Sequence, residues 1–337
     1  MVYAFLTCVW AVDTVGVTRK RLAEGAERAY LWCGVVALAA VLSVPFAAQA
    51  APAGQAAVTP AGGSVPVASV YSVRSRAGTG LGAPVVSAYV QVLAPVDGVV
   101  GRTAVLGLSG GAFSVAENGK PVQAAVQPVS PDEPLALVVI ADTANERRWL
   151  LPAAKYTDPL QYLREAGGAA LRQFPENGRY ALYTMNTDGV APLADRTSAA
   201  NASAQLADRG GQARLLQRLD EAVVALQEMP PEWRRVVLVL SDGNSRFGRP
   251  YETVREAALE ANVAIFGVGT ADPDQPYSYL GRLAQDTGGY FWTFEKSALQ
   301  PQPASPILLE TLTAEAVKAI RSAYRICLLY TSPSPRD

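Results

Sequence analysis

Pro134–Glu146 reads PLALVVIADTANE, and Leu135–Ala141 within it is an unbroken apolar run. A strand buried on both faces of a parallel sheet reads this way. The run stops at Asp142. Open α/β sheets bind ligands beyond the carboxyl ends of their strands, so a carboxylate there is a candidate site residue. Outward from this stretch the pattern recurs. Val236–Leu240 is followed by Ser241-Asp242-Gly243, and Val263–Val268 by Gly269-Thr270. Helical spacing separates these runs: Leu215, Leu216, Leu219, Val223 and Leu226 recur at threes and fours within Gln212–Met229. Alternating strands and helices predict an α/β fold, a doubly wound, mostly parallel sheet with Asp142 and Asp242 at its crest.

Composition narrows the chemistry. Half of the 337 residues are hydrophobic and the net charge is −1, so a large core is expected and no basic excess points to nucleic acid. Histidine is absent. Catalysis by a histidine base and histidine metal ligands are thereby excluded. Gly107-Leu108-Ser109-Gly110-Gly111 fits the G-x-S-x-G nucleophile pattern, but no histidine exists to activate Ser109. Gly78-Thr79-Gly80-Leu81-Gly82 follows no strand and reads as linker.

Ahead of the α/β region, Val85–Leu93 has strand composition, and Ala112–Glu117 and Val122–Val129 flank Asn118-Gly119. Asn-Gly between apolar-alternating runs signals a hairpin, because both residues tolerate positive φ. Pro121 on the return strand suggests an edge. Residues 84–132 therefore read as a small β-sandwich module.

Several motifs together resemble the von Willebrand factor A (vWA) domain. They are VVIADTANE, RGGQARLLQRLDEAV at Arg209–Val223, VLVLSDG at Val237–Gly243, AIFGVGTAD at Ala264–Asp272 and LAQDTGGYFW at Leu283–Trp292. The resemblance covers residues 133–326. FSVAENGKPVQ, within the β module, is similar to the segment preceding this domain in secreted vWA-related proteins of acidobacteria. The resemblance implies a metal-ion-dependent adhesion site at the crest, where Mg²⁺ or Mn²⁺ keeps a position open for a partner's carboxylate. Hard cations of this kind take oxygen ligands.

Carried over by position, Asp142 and Asp242 occupy the two acidic places of that site. The two serine places hold Ala144 and Glu146, and the threonine place holds Gln212 after Gly210-Gly211. Two readings follow. In one, Asp142, Glu146 and Asp242, helped by Gln212, form a rearranged metal site. In the other the site is degenerate and binds no metal, with the acids kept for local hydrogen bonds.

The two ends carry their own signals. Arg19, Lys20, Arg21 and Arg28 precede the apolar run Leu31–Ala48, and Ala48-Gln49-Ala50 fits a small-x-small cleavage site. Residues 1–50 are thus expected to be an export signal, or a membrane anchor if uncleaved. Residues 51–83, rich in Ala, Pro, Gly and Ser, read as a flexible tether, with room for a strand near Val65–Val73. Ala323–Ile326 looks like the entry to a further strand. Residues 327–337, CLLYTSPSPRD, resemble the translation of a sequencing adapter and are expected to be non-native. Without Cys327, only Cys8 and Cys33 remain, both in the export segment.

The expectation is an exported protein, periplasmic, secreted or at the cell surface, that binds an unknown protein partner at the crest, through an acidic residue of that partner if a metal is held. It is expected to be no enzyme. The rivals are a scaffold with no crest ligand and a hydrolase using Asp142 and Asp242 as paired carboxylates.

Overall fold

A computed structural model describes residues 38–41, 66–76, 85–95, 101–117, 120–142, 159–185, 191–206, 214–241, 250–271, 279–295 and 306–329. The three apolar runs form the centre of a five-stranded parallel sheet. Its strands are β8 (Leu135–Ala141), β9 (Arg179–Thr184), β10 (Arg234–Leu240), β11 (Val263–Ala271) and β12 (Phe291–Glu295). Their order is β12-β11-β10-β8-β9, and every pairing is parallel.

Alternate residues of each strand serve opposite faces. Leu135, Leu137 and Val139 of β8 join Val236, Leu238 and Phe266 on one face, under α1 (Pro159–Arg172), α2 (Arg196–Ala204) and α6 (Pro306–Arg321). Ala136, Val138 and Ile140 join Val237, Val239 and Ile265 on the other. That face lies under α3 (Leu215–Gln227), α4 (Tyr251–Glu260) and α5 (Tyr279–Asp286). All seven residues of β8 are fully buried, and burying each large aliphatic side chain contributes roughly 1.5–3 kcal/mol. The doubly wound sheet is as the sequence implies.

Local sequence explains how the helices fit. A Cβ on Gly167 would lie 3.0 Å from Ser203 Oγ, so the glycine that weakens α1 by propensity lets α2 pack against it closely. Asn262, just past α4, has φ +54° and donates its N–H to the carbonyl of Leu259, as a left-handed residue closing a helix does.

The β module takes shape beside this domain rather than apart from it. β2 (Val67–Arg76), β3 (Val85–Pro95), β13 (Tyr324–Leu329) and β7 (Ala124–Pro128) form an antiparallel sheet in that order, with β4 (Arg102–Ala104) paired to the end of β3. A second sheet, β1 (Leu38–Val41), β5 (Ser114–Glu117) and β6 (Lys120–Val122), covers its outer face. Val86, Val90, Val115, Ile326 and Leu328 fill the space between, which makes the expected sandwich.

Three features of the fold go further than the sequence. First, the strand for which the expected tether left room near Val65–Val73 spans Val67–Arg76. It pairs with β3 along its length, broken by a bulge at Tyr71–Arg74 where Ser72 takes φ +52°. Second, the β module is completed by the far end of the chain, because β13 lies between β3 and β7. That strand runs through Cys327 and Leu328 into the expected non-native tail. Backbone pairing needs only alternation here, and Ile326 and Leu328 supply it while Cys327 faces the half-buried side. Third, Leu38–Val41 of the expected export segment pairs with β5.

Candidate functional site

The chain leaves β8 for β9 on one side and later returns to β10 on the other, so the order of strands reverses between β8 and β10. Ligands of open α/β sheets bind at this switch point. Asp142 follows β8 there and Ser241 follows β10. The Asp142 N–H donates to the Leu240 carbonyl at 3.0 Å, and the Ser241 N–H to the Val268 carbonyl at 3.1 Å, which fixes both residues to neighbouring strand ends. Ser241 Oγ donates to Asp142 Oδ2 at 2.9 Å. Asp142 is 4 % exposed and Ser241 wholly buried. A hydrogen bond to a buried charged group contributes about 1.5–3 kcal/mol, so this pair stiffens the crest.

Of the four expected site residues, Asp142 stands at the crest; Glu146, Gln212 and Asp242 lie outside the described residues. Sequence reasoning missed Ser241, although it opens the Ser-Asp-Gly motif that drew attention to Asp242. The described donors, one carboxylate and one hydroxyl already bonded to each other, do not make up the six or more oxygens of a hard cation's shell. Among the described residues no group of three or more His, Cys, Asp or Glu side chains could hold a metal ion.

The opposite end of the sheet carries a second polar cluster that the sequence did not reveal. Arg234 opens β10 and is 2 % exposed. Its Nη1 donates to the Ile320 carbonyl at 2.7 Å and to Tyr71 Oη at 3.5 Å, and its Nε lies 3.9 Å from Glu133 Oε1. Glu133 also accepts from Tyr89 Oη and lies 3.7 Å from Arg325 Nη1. Arg74 of β2 donates to the Trp233 carbonyl and stands over the Tyr89 ring. Burial pushes the Tyr89 hydroxyl well above its ordinary pKa, and its bond to Glu133 adds to the rise. The base of the parallel sheet is therefore sealed by β2, β3 and β13.

Gly288 adds to the seal. It follows α5 with φ +77°, and a Cβ there would fall 2.1 Å from the Val70 carbonyl oxygen. Its own carbonyl accepts from Gln91 Nε2 at 3.1 Å. The Thr287-Gly288-Gly289 turn thus stops a helix and seats β2.

Strand order and helix placement together define a doubly wound α/β domain. Residues 169–304 match the von Willebrand factor type A domain, and the chain carries that domain. Such domains generally mediate protein–protein interactions. The fold is similar to that of proximal thread matrix protein 1 from the mussel byssus, solved with a zinc-occupied MIDAS motif. The two are 18 % identical with a TM-score of 0.44 over 61 % of this chain and 49 % of that one, so the chain spans about half the length of that relative. It is also similar to a von Willebrand factor type A protein from Catenulispora acidiphila (12 % identity, TM-score 0.43, 80 % of this chain and 66 % of that one). A third likeness is to an aerotolerance-related membrane protein from Bacteroides fragilis (12 %, 0.39, 54 % and 99 %). No curated protein matches the sequence.

Proposed function

We propose that this chain is an exported interaction module that binds a protein partner at the crest of its vWA domain, over an altered metal-ion-dependent adhesion site. The observation that carries this reading is the position of the Asp142–Ser241 pair. It lies at the switch point, at the end of the sheet away from the packed β module. The connections 142–158, 241–250 and 272–278 leave the strands at that end, whereas 261–262 and 287–290 enter at the base and are shorter. Long connections on a rigid sheet are the usual seat of recognition.

Asp142 is the fixed acid of the altered site, with Glu146, Gln212 and Asp242 as its further candidate ligands. Mg²⁺ or Mn²⁺ held among them would offer an open position to an acidic side chain of the partner. Export rests on residues 1–50. Among the described residues no helix is long and apolar enough to cross a membrane.

Calorimetric titration of Mg²⁺ and Mn²⁺ into the full chain, with Asp142→Ala alongside, tests the reading. Saturable binding lost in the variant supports a live site and an acidic partner. Absence of heat from a folded protein would leave the crest without a resident cation. The Ser241 hydrogen bond specifically favours a second reading, a scaffold in which Asp142 serves the strand ends alone. Asp142→Asn, which keeps an acceptor for Ser241, separates the two. It preserves the melting temperature in both cases and abolishes ion binding only where ions bind.

A further inference from the structure

The sandwich has several strand edges, and they are not alike. An unprotected edge offers free N–H and C=O groups to any strand that meets it, and proteins blunt such edges with Lys, Pro or bulges. β2 is blunted by its bulge between Tyr71 and Arg74. β6 is blunted by Lys120 and Pro121. β5, Ser-Val-Ala-Glu, has neither Lys nor Pro and no bulge, and it is the edge that β1 covers.

Register shows which groups of β5 face that edge. Glu117 pairs with Lys120, Ala116 with Pro121 and Val115 with Val122. Antiparallel pairs alternate between hydrogen-bonded and non-hydrogen-bonded. Proline has no N–H, so Ala116–Pro121 is a non-bonded pair. The Ala116 N–H and C=O therefore point away from β6, toward β1, where Ala116 pairs with Ala39. Val115 is 4 % exposed in the sandwich core, so β5 cannot turn its edge aside without opening that core.

The strand that covers this edge lies upstream of Ala48-Gln49-Ala50, where the sequence places a cleavage site. A cut there would leave β1 without a covalent link to the body. We infer that the outer edge of β5 is a strand-acceptor site, held by Leu38–Val41 in the uncut chain and by β5 of a second copy once residues 1–50 are gone. A two-fold antiparallel pairing centred on Val115 sets the outward-facing Ser114 against Ala116 of the second copy and Val115 against its counterpart. No like charges oppose each other, and the result is a four-stranded sheet across the two copies. The inference rests on the export reading of residues 1–50, but its test does not.

A specific protease site replacing Ala48–Ala50 in the full chain allows the cut to be made on folded protein. Light scattering after gel filtration then reads mass, and near-ultraviolet circular dichroism checks the fold. The expected result is a concentration-dependent doubling of mass after the cut, together with loss of the N-terminal peptide. Ala116→Pro, which removes only the outward N–H and leaves the β5–β6 ladder intact, should return the cut protein to a monomer. A cut chain that stays monomeric, with or without the peptide, overturns the inference, as does a dimer indifferent to Ala116→Pro. Finding the exported protein with its N-terminus before Leu38 would instead refute the export reading alone.

Discussion

The Val129 N–H donates to the Ala323 carbonyl at 2.9 Å, so the segment that enters the vWA domain and the one that leaves it run side by side. Between them the chain builds the whole parallel sheet and its helices. The domain is in effect inserted between β7 and β13 of the sandwich, and one continuous set of buried side chains links the two. Tyr71 and Tyr89 of the sandwich pack with Phe266 and Leu135 of the sheet.

The central place of β13 makes it indispensable to the sandwich. Ile326 is 1 % exposed among Val86, Val90 and Val115. Ile326→Asp buries an unpaired carboxylate, and its cost should exceed about 3 kcal/mol. Urea unfolding should show the change as a shifted midpoint. If Arg325→Ser, at the more open neighbouring position, shifted the midpoint as far, the assigned faces of β13 would be wrong.

How much of this was legible follows from where each element draws its stability. The three central parallel strands, β8, β10 and β11, declare themselves because both faces are buried, so their apolar runs are nearly unbroken. β2 and β13 were legible only in part, as room for a strand near Val65–Val73 and as a strand entry at Ala323–Ile326. Val67–Arg76 mixes Ser and Arg among its apolar residues, and β13 pairs with β3 and β7, both far upstream. Their partners and full extent are set by pairing across the fold, not by local pattern. At the crest, Asp142 was legible because it ends an apolar run. Ser241 was not, because its role comes from a strand-to-strand contact. The base cluster escaped notice because Glu133 and Arg234 each look like ordinary flanking charges.

Arg234 is the keystone of that base cluster. Its guanidinium joins β10, α6 and Glu133 in a site where it is 2 % exposed. Arg234→Ala leaves the Ile320 carbonyl and the Glu133 carboxylate short of a partner, and a loss of about 3–5 kcal/mol is expected. Arg234→Lys should recover only part of it, since an ammonium cannot span the same fork of acceptors. Chemical denaturation of the three proteins measures both steps, and full rescue by lysine would refute the geometric argument.

Two buried tyrosines contribute to the loss of stability at alkaline pH. Burial pushes Tyr180 and Tyr183 up to about 12 from the ordinary 10.0. Their folded pKa is raised, so between these values the folded state holds protons that the unfolded state has lost. Their contribution is complete below pH 10, falls as pH rises and is gone above about 12. Tyr183 Oη is buried with no hydrogen-bond partner among the described residues, whereas Tyr180 Oη donates to the Pro175 carbonyl at 2.5 Å. Tyr183→Phe should accordingly be neutral or stabilising by up to ~1 kcal/mol and should flatten the alkaline decline. Tyr180→Phe should destabilise. Melting curves taken across that pH range decide between these outcomes and their reverse.

The crest pair gives the last test. Ser241→Ala removes the donor to Asp142 Oδ2 and leaves a carboxylate that is 4 % exposed without that bond. A loss of about 1–3 kcal/mol is expected. Asp142→Ala removes the acceptor as well as the charge, so the double variant should cost little more than Asp142→Ala alone. That non-additivity is the signature of a coupled pair. If the two losses add in full, Ser241 and Asp142 act separately, and the crest owes its order to the main-chain bonds at Leu240 and Val268 rather than to the hydroxyl–carboxylate contact.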